Sequence, residues 1–403
     1  MRQAEPHRAA TLPRGVRPGR SAAMLVTCGG AHLLHDGLSN LMYVLLPIWA
    51  RGFGPNLTRA GALKTAFSGV QASLQVPVGI LSERLGERGL LVGGTAAVGL
   101  GYLALGTAGG YWTLLLLLGL TGMGLATQHP LSSTLISAAY EDNHRRAALG
   151  TYNFAGDVGK VLVPGLAALA LGAAPWPFTT TGLGVLGLLA ALSLLLALQR
   201  IQAPREHRPA APAGPHSPAR GWGVRDWPGF TALTAVGVID SSARGGVLVL
   251  LPFLLTARGA SIEFVGLSLS LVFAGGACGK FVCGLVAERL GIVRTVVLTE
   301  LLTAAGIAAV GMVSLEWLLL LLPALGVALN GTSSVLYATV ADLVEPERRA
   351  RAFGLFYTFL TGSSSLAPVI YGALGDLAGI PTAFAGIAAV VLMTLPLCWW
   401  LRV

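Results

Sequence analysis

Apolar runs separated by short polar turns set the rhythm of the chain. Twelve such runs fall near 22–50, 58–82, 89–108, 111–139, 147–172, 176–199, 227–256, 262–287, 293–313, 316–341, 351–375 and 380–401. A helix needs about 20 apolar residues to cross a bilayer core, and each run reaches or exceeds that length. The longer runs predict tilted helices or helices that extend past the hydrocarbon. The turns are not alike in charge. Arg84, Arg88, Arg145, Arg146, Arg289, Arg294, Arg348 and Arg349 fall on one side, whereas Arg51, Arg59 and Arg258 are nearly all the other side holds. Basic loops stay in the cytoplasm, so both termini are expected there and the chain is expected to be a multi-pass protein of the inner membrane.

The polar stretch between the sixth and seventh runs (201–226) is rich in Pro, Ala and Arg and too poor in apolar residues to form a core. It divides the chain into a six-helix bundle over 22–200 and another over 227–403, with an N-terminal tail, 1–21, expected to be disordered and cytoplasmic. The bundles echo each other at a shift of about 203–205 residues: Asp36 with Asp240, Leu45–Trp49 with Leu250–Leu254, Arg145–Gly150 with Arg348–Gly354, Pro164 with Pro368. The turn Gly79–Gly86 reads GILSERLG, and Gly284–Gly291 reads GLVAERLG. Such an order of matches is the mark of a parallel internal repeat.

Composition removes several function classes. Hydrophobic residues make up 54% and charged ones 11%, against about 25% charged in soluble domains. The net charge of +9 sits in loops between apolar runs and not on a basic polar domain, so nucleic acid is not an expected partner. Cys28, Cys278, Cys283 and Cys398 lie in apolar segments without a C-x-x-C pair and read as small buried hydrophobes. Arg14, Arg17 and Arg20 precede the first run as in a signal peptide, but that run is too long for an h-region; Met24 is a possible alternative start. No H-E-x-x-H or G-x-S-x-G appears, and no enzyme is expected.

With its two six-span halves and the turn Gly79, Leu81, Glu83, Arg84, Gly86, Arg88, the chain resembles the major facilitator superfamily. That loop signature carries an Asp where Glu83 stands. Its second copy here is Gly284, Glu288, Arg289, Gly291, Arg294. Within the superfamily the chain is most similar to the fosmidomycin-resistance type of efflux protein, through AHLLHDG with His32 and Asp36, GLATQHPLSS with His129 and Pro130, and YNFAGDVGKVLVPG with Gly156, Gly159 and Pro164. The resemblance implies an all-α fold of two pseudo-symmetric bundles, with spans one, four, seven and ten lining a central cavity. It also implies two cytoplasmic latches, in which Glu83 meets the N-terminus of span eleven and Glu288 that of span five.

Ionisable groups inside spans are costly and mark function. His32, His35 and Asp36 stand at i, i+3 and i+4 and are read as sharing one face of span one, a proton-coupling cluster that His129 of span four can join. Three histidines on two helices are a weak metal signal, and no metal site is assigned. Asp240 and Arg244 are one turn apart on span seven, either as a self-neutralising pair or as an anion-binding Arg oriented by an Asp. Asp157 and Lys160 are i, i+3 partners on span five, and Lys280 on span eight is expected to pair with Asp157 when the cytoplasmic side is closed. Gln128, Asn330 and Tyr337 are further candidates for the substrate cavity. Lys64, Lys160 and Lys280 are the three lysines, and all fall within spans, where Lys can lose its proton and Arg cannot. Glu83, Arg84, Arg88, Glu288, Arg289, Arg294 and Lys280 form the expected gating set. The chain is therefore expected to be a monomeric secondary transporter of a small molecule, without a cofactor and driven by the proton gradient. Efflux by proton antiport leads. Uptake or exchange of an organic anion through Arg244, Lys160 and Lys280 is the alternative, and a non-transporting sensor or scaffold is the reading from another class.

Overall fold

The computed structural model describes residues 18–54, 56–140, 142–202, 223–340, 342–345 and 349–401. These fold into helices α1 (Pro18–Phe53), α2 (Leu57–Leu85), α3 (Glu87–Leu105), α4 (Tyr111–Leu125), α5 (Gln128–Ala139), α6 (Asp142–Ala173), α7 (Trp176–Arg200), α8 (Trp227–Ala257), α9 (Ile262–Leu290), α10 (Ile292–Met312), α11 (Leu315–Val340), α12 (Arg349–Ala378), α13 (Ile380–Leu392) and α14 (Thr394–Cys398). Ten segments, with α4–α5 and α13–α14 each counted once, are long and apolar enough to cross a membrane. Helices α1 and α2 are long enough but diluted by groups such as His32, Asp36, Lys64 and Gln71; with them the chain makes the twelve passes that the apolar runs predict.

Local chemistry accounts for where the passes differ from expectation. The fourth and twelfth are interrupted. Pro130 and Pro396 lack the N–H that the Ala126 and Leu392 carbonyls would accept. Proline alone does not break α6 at Pro164 or α12 at Pro368. At the α4–α5 break, Thr127 also turns its N–H and hydroxyl onto the Gly124 carbonyl, at 3.3 and 2.9 Å. The first helix begins at Pro18, inside the expected tail of 1–21, whose residues 1–17 lie outside the described residues. The expected linker of 201–226 is not structureless throughout. Its end is an antiparallel bridge between Val224 and Val344, with the Arg225 N–H donating to the Leu343 carbonyl and the Glu345 N–H to that of Gly223. Residues 203–222 lie outside the described residues.

The repeated ERLG turns close α2 onto α3 and α9 onto α10. Gly86 (φ 78°) and Gly291 (φ 83°) sit in the left-handed region, which costs a residue with a Cβ and suits glycine. Both turns lie on one face of the molecule, here called the basic face after Arg84, Arg88, Arg289 and Arg294.

Helices α1–α7 meet α8–α14 mainly through two antiparallel pairs. In α2–α12, a Cβ on Gly61 would strike the Pro368 carbonyl and one on Gly372 the Leu57 carbonyl, so the backbones touch. Asp376 accepts from the Leu57 and Thr58 N–H groups (2.9 Å each), capping α2 from the other half, and the Thr65 hydroxyl donates to the Ser365 carbonyl at 2.6 Å. In α6–α9, Gly266 packs on Ala168, and the Ser270 hydroxyl donates to the Val161 carbonyl at 2.7 Å. Every one of these contacts lies between mid-membrane and the face opposite the basic one. Toward the basic face, Ile80, Leu85, Phe154, Phe281 and Tyr357 are exposed.

Candidate functional site

Close approach of α1 and α6 builds the centre. A Cβ on Gly159 would meet the Leu33 carbonyl, and one on Gly156 would lie 2.6 Å from the His32 ring and 2.9 Å from the Asp36 carboxylate. Glycine at both positions lets α6 deliver Lys160 to α1. Lys160 Nζ stands 3.1 Å from Asp36 Oδ2 and 3.0 Å from Asp157 Oδ1. The break in the fourth pass carries α5 inward, so that His129 Nε2 lies 3.5 Å from Asp36 Oδ1. His32 Nε2 is 3.3 Å from Asp36 Oδ2, one turn away on the same helix.

The orientation of His32 follows from its other nitrogen. Nδ1 lies 2.8 Å from the Tyr152 carbonyl, which can only accept, so Nδ1 carries hydrogen. The Tyr152 ring stacks on the imidazole at a centroid distance of 4.1 Å and fixes its plane. Nε2 is thereby aimed at Asp36, buried and without a hydrogen bond. A proton on Nε2 makes that contact attractive; a lone pair there faces a carboxylate. Asp36 is thus a buried carboxyl among two imidazoles and an ammonium, an arrangement suited to binding and releasing a proton. Ligand atoms of His32, Asp36 and His129 also lie within 4.8 Å of one another. The Lys160 ammonium already neutralises this carboxylate, which suits a proton site better than a divalent cation.

His35 is a correction. The structure turns it to α3, where Nε2 donates to Thr95 Oγ1 at 3.0 Å, since the Thr95 hydrogen goes to the Leu91 carbonyl. Adjacent residues on a helix point about 100° apart, so His35 does not share the face of Asp36 although it is one turn from His32. Gln128 is also placed away from the cavity, buried with its Nε2 reaching the Cys28 carbonyl at 3.5 Å.

Asp157 joins the two halves. Lys280 of α9 places Nζ 2.8 and 2.7 Å from its two oxygens while Lys160 holds one of them. The chain Asp36–Lys160–Asp157–Lys280 therefore runs without a gap from α1 to α9. The Lys280–Asp157 pair was expected with the basic face closed. Here it coexists with a basic face on which Glu288, Arg84, Arg289 and Arg294 are exposed, Glu288 having no hydrogen bond or ion pair among the described residues. The reason is depth: Lys280 sits nearly three turns before the end of α9, close to mid-membrane, where the halves still touch. Arg88 is buried at the start of α3, and the side chain of Glu83 lies outside the described residues.

In the second half, Arg244 donates to Asp240 Oδ2 at 3.0 Å and to the Ser241 hydroxyl at 3.1 Å, and it reaches Asn330 Oδ1 at 3.4 Å. A cavity of about 290 Å³ opens between the halves, lined by Lys160, Lys280, Arg244, Asp157, Asn330 and Tyr337 among others. Three cations and one carboxylate line it, while Asp36 and Asp240 stand behind the wall as partners of Lys160 and Arg244. Tyr337 is stacked on Tyr357 at 4.8 Å, which holds it at the cavity wall. Sequence reasoning missed the link from Lys160 to Asp36, Tyr152 as the support of His32, and Tyr43, whose ring lines the cavity and lies 4.7 Å from buried Lys64. Gly156 and Gly159, which permit the α1–α6 approach, were the available signal for the first.

A sequence profile described as Major Facilitator Superfamily matches residues 28–239 and 233–403. An uncharacterized MFS-type transporter, YfnC of Bacillus subtilis (strain 168), is 28% identical over 156 residues, 38% of each chain. Protein spinster homolog 1 of Homo sapiens is 29% identical over 150 residues, 37% of this chain and 28% of its own length. The chain thus matches well under half the length of either relative. Among solved structures, a bacterial homolog of the human lysosomal transporter Spinster, inward-facing and unoccupied, superposes with a TM-score of 0.79 at 16% identity, over 96% of this chain and 97% of that one. A mutant of the peptide transporter POT does so with 0.76 at 14% identity, over 93% of each.

Proposed function

We propose, from the premise that this chain belongs to the Major Facilitator Superfamily, that it is a proton-coupled transporter working by alternating access, with Asp36 as the group that binds and releases the proton. The observation that carries this reading is the placement of Asp36, buried at the head of the Asp36–Lys160–Asp157–Lys280 chain and touched by two imidazoles. When a proton binds Asp36, its charge is lost and Lys160 keeps only Asp157 as a partner. Lys160 then competes with Lys280 for that carboxylate, and the ion pair between the halves weakens. Loss of the proton restores it. Protonation and the contact between halves are thereby linked through three side chains.

The exposed residues of the basic face, together with the likeness to an inward-facing transporter, support reading this state as open to the cytoplasm, with the termini on that side. Efflux by proton antiport from the inner membrane, as in fosmidomycin-resistance proteins, is the direction the first- and fourth-span motifs favour. A second reading has its own observation. The three cations of the cavity favour a small substrate bearing an anionic group, which Arg244 would hold while Asp240 orients it.

Transport by purified protein in proteoliposomes, with a panel of small organic acids, cations and neutral amphiphiles and with an imposed pH gradient, tests the reading. Gradient-driven flux of at least one compound is expected in the wild type and should vanish in Asp36→Asn while that variant stays folded. Unchanged gradient-driven flux in Asp36→Asn would sink the role of Asp36.

A further inference from the structure

Behind Arg244, away from the cavity, lies a carboxyl that nothing above uses. Glu300, on α10, is fully buried, and neither of its oxygens has a hydrogen bond. Asp240 Oδ1 and the Thr303 hydroxyl oxygen are also buried and unpartnered. The charged and titratable groups acting on Glu300 are Asp240 and Arg244 from α8 and Cys398 from α14, with Thr332 facing it from α11. One guanidinium serves two carboxyls, and it is bonded to Asp240. An ionised Glu300 would be a buried charge with no hydrogen-bond partner, which is costly inside a protein. A carboxylic acid is the form the site accommodates.

A line of buried hydroxyls leads from Glu300 toward the basic face. Thr295, Thr299 and Thr303 stand at i, i+4 and i+8 on α10 and are all buried, forming one polar stripe in an apolar helix. The stripe starts at the basic face, where the Thr295 hydroxyl bonds the carbonyl of Gly291 in the ERLG turn at 2.8 Å. The Thr299 hydroxyl follows on the Thr295 carbonyl at 3.0 Å, and Thr332 of α11 donates to Thr299 Oγ1 at 2.8 Å beside Glu300.

We propose that Glu300 is a proton-relay residue, carrying protons between water at the basic face and Asp240 along the threonine stripe of α10. The inference rests on the proton-coupled reading above. When Arg244 turns to an anionic group in the cavity, Asp240 loses its counter-ion. The O–H bond of Glu300 breaks and one forms on Asp240, and Glu300 takes a replacement proton from the basic-face water. When Arg244 returns, the same proton leaves by the reverse route. One proton and no electrons move, and no co-reactant is required.

Infrared spectroscopy of the full chain in lipid vesicles tests this without any substrate, so its outcome is separable from that of the Asp36 flux assay. At neutral pH the wild type should show a carboxylic-acid carbonyl band that is lost in Glu300→Gln and kept, at a shifted position, in Glu300→Asp. An acid region unchanged by Glu300→Gln overturns the protonated assignment. On transfer to D2O the Glu300 band should shift as its proton exchanges, and the Thr299→Val/Thr332→Val variant should keep the band but exchange severalfold more slowly. A wild-type band that never shifts means a sealed structural acid and overturns the relay. Equal exchange rates in wild type and the threonine variant overturn the route.

Discussion

Asp36 and Asp240 occupy matching places in the two repeats, yet their surroundings differ in kind. Around Asp36 every partner can gain or lose a proton: His32, His129 and Lys160. The cation bonded to Asp240 is Arg244, which effectively cannot. The repeat carries the same buried carboxylate twice, with an exchangeable set of partners in the first half and a permanent guanidinium, with access to the cavity, in the second. On the proposed reading, the first half would exchange the proton at the cavity and the second would hold the anion.

The sharpest way to break this contrast is to neutralise each carboxylate's role in turn. Asp36→Asn removes the group proposed to bind the proton, so gradient-driven flux should fall to the background of protein-free vesicles. Next in size is Arg244→Lys. It keeps the charge but loses the planar fork, so half-saturation for an acidic substrate should rise by roughly tenfold with the pH gradient still effective. Unchanged half-saturation would remove Arg244 from anion holding.

A smaller effect bears on the link between the halves. Lys280→Met and Asp157→Asn should each reduce flux, and the double variant should lose less than the sum, with an interaction of about 1 kcal/mol. The figure is modest because the Lys280 side chain is 41% exposed and solvent screens the pair. Additive losses in a double-mutant cycle would remove Asp157 from the path. The smallest change belongs to Glu288→Gln. Glu288 is exposed and has no partner among the described residues, so substrate binding with the basic face open should not change, while the rate of the full cycle should drop about two- to threefold, the scale of a lost carboxylate–helix-terminus contact. An equal drop in binding would mean that Glu288 acts in the open state.

How far the sequence carried the site can be followed residue by residue. The i, i+4 spacing of His32 and Asp36, and of Asp240 and Arg244, makes each pair legible because one helix fixes the distance. The same reasoning failed for His35, since one residue's rotation separates it from Asp36. Lys160 reads naturally as a partner of Asp157, three residues away. Its second bond, to Asp36, depends on how closely two helices cross, which no single helix encodes. The meaning of Glu300 depends on which groups α8, α11 and α14 bring to it.

The sequence by itself determined the twelve passes, the face on which basic residues gather, the repeat, and the glycines of both ERLG turns. These follow from hydropathy, charge and backbone conformation, which are local properties. Only the tertiary structure decided that four ion-paired side chains link the halves, that the cavity lining is cationic, and that the halves are joined from the opposite face to mid-membrane. Those features arise where helices distant in the chain meet, and their energies depend on distances of a few ångströms between side chains, set by how closely the glycines let backbones approach.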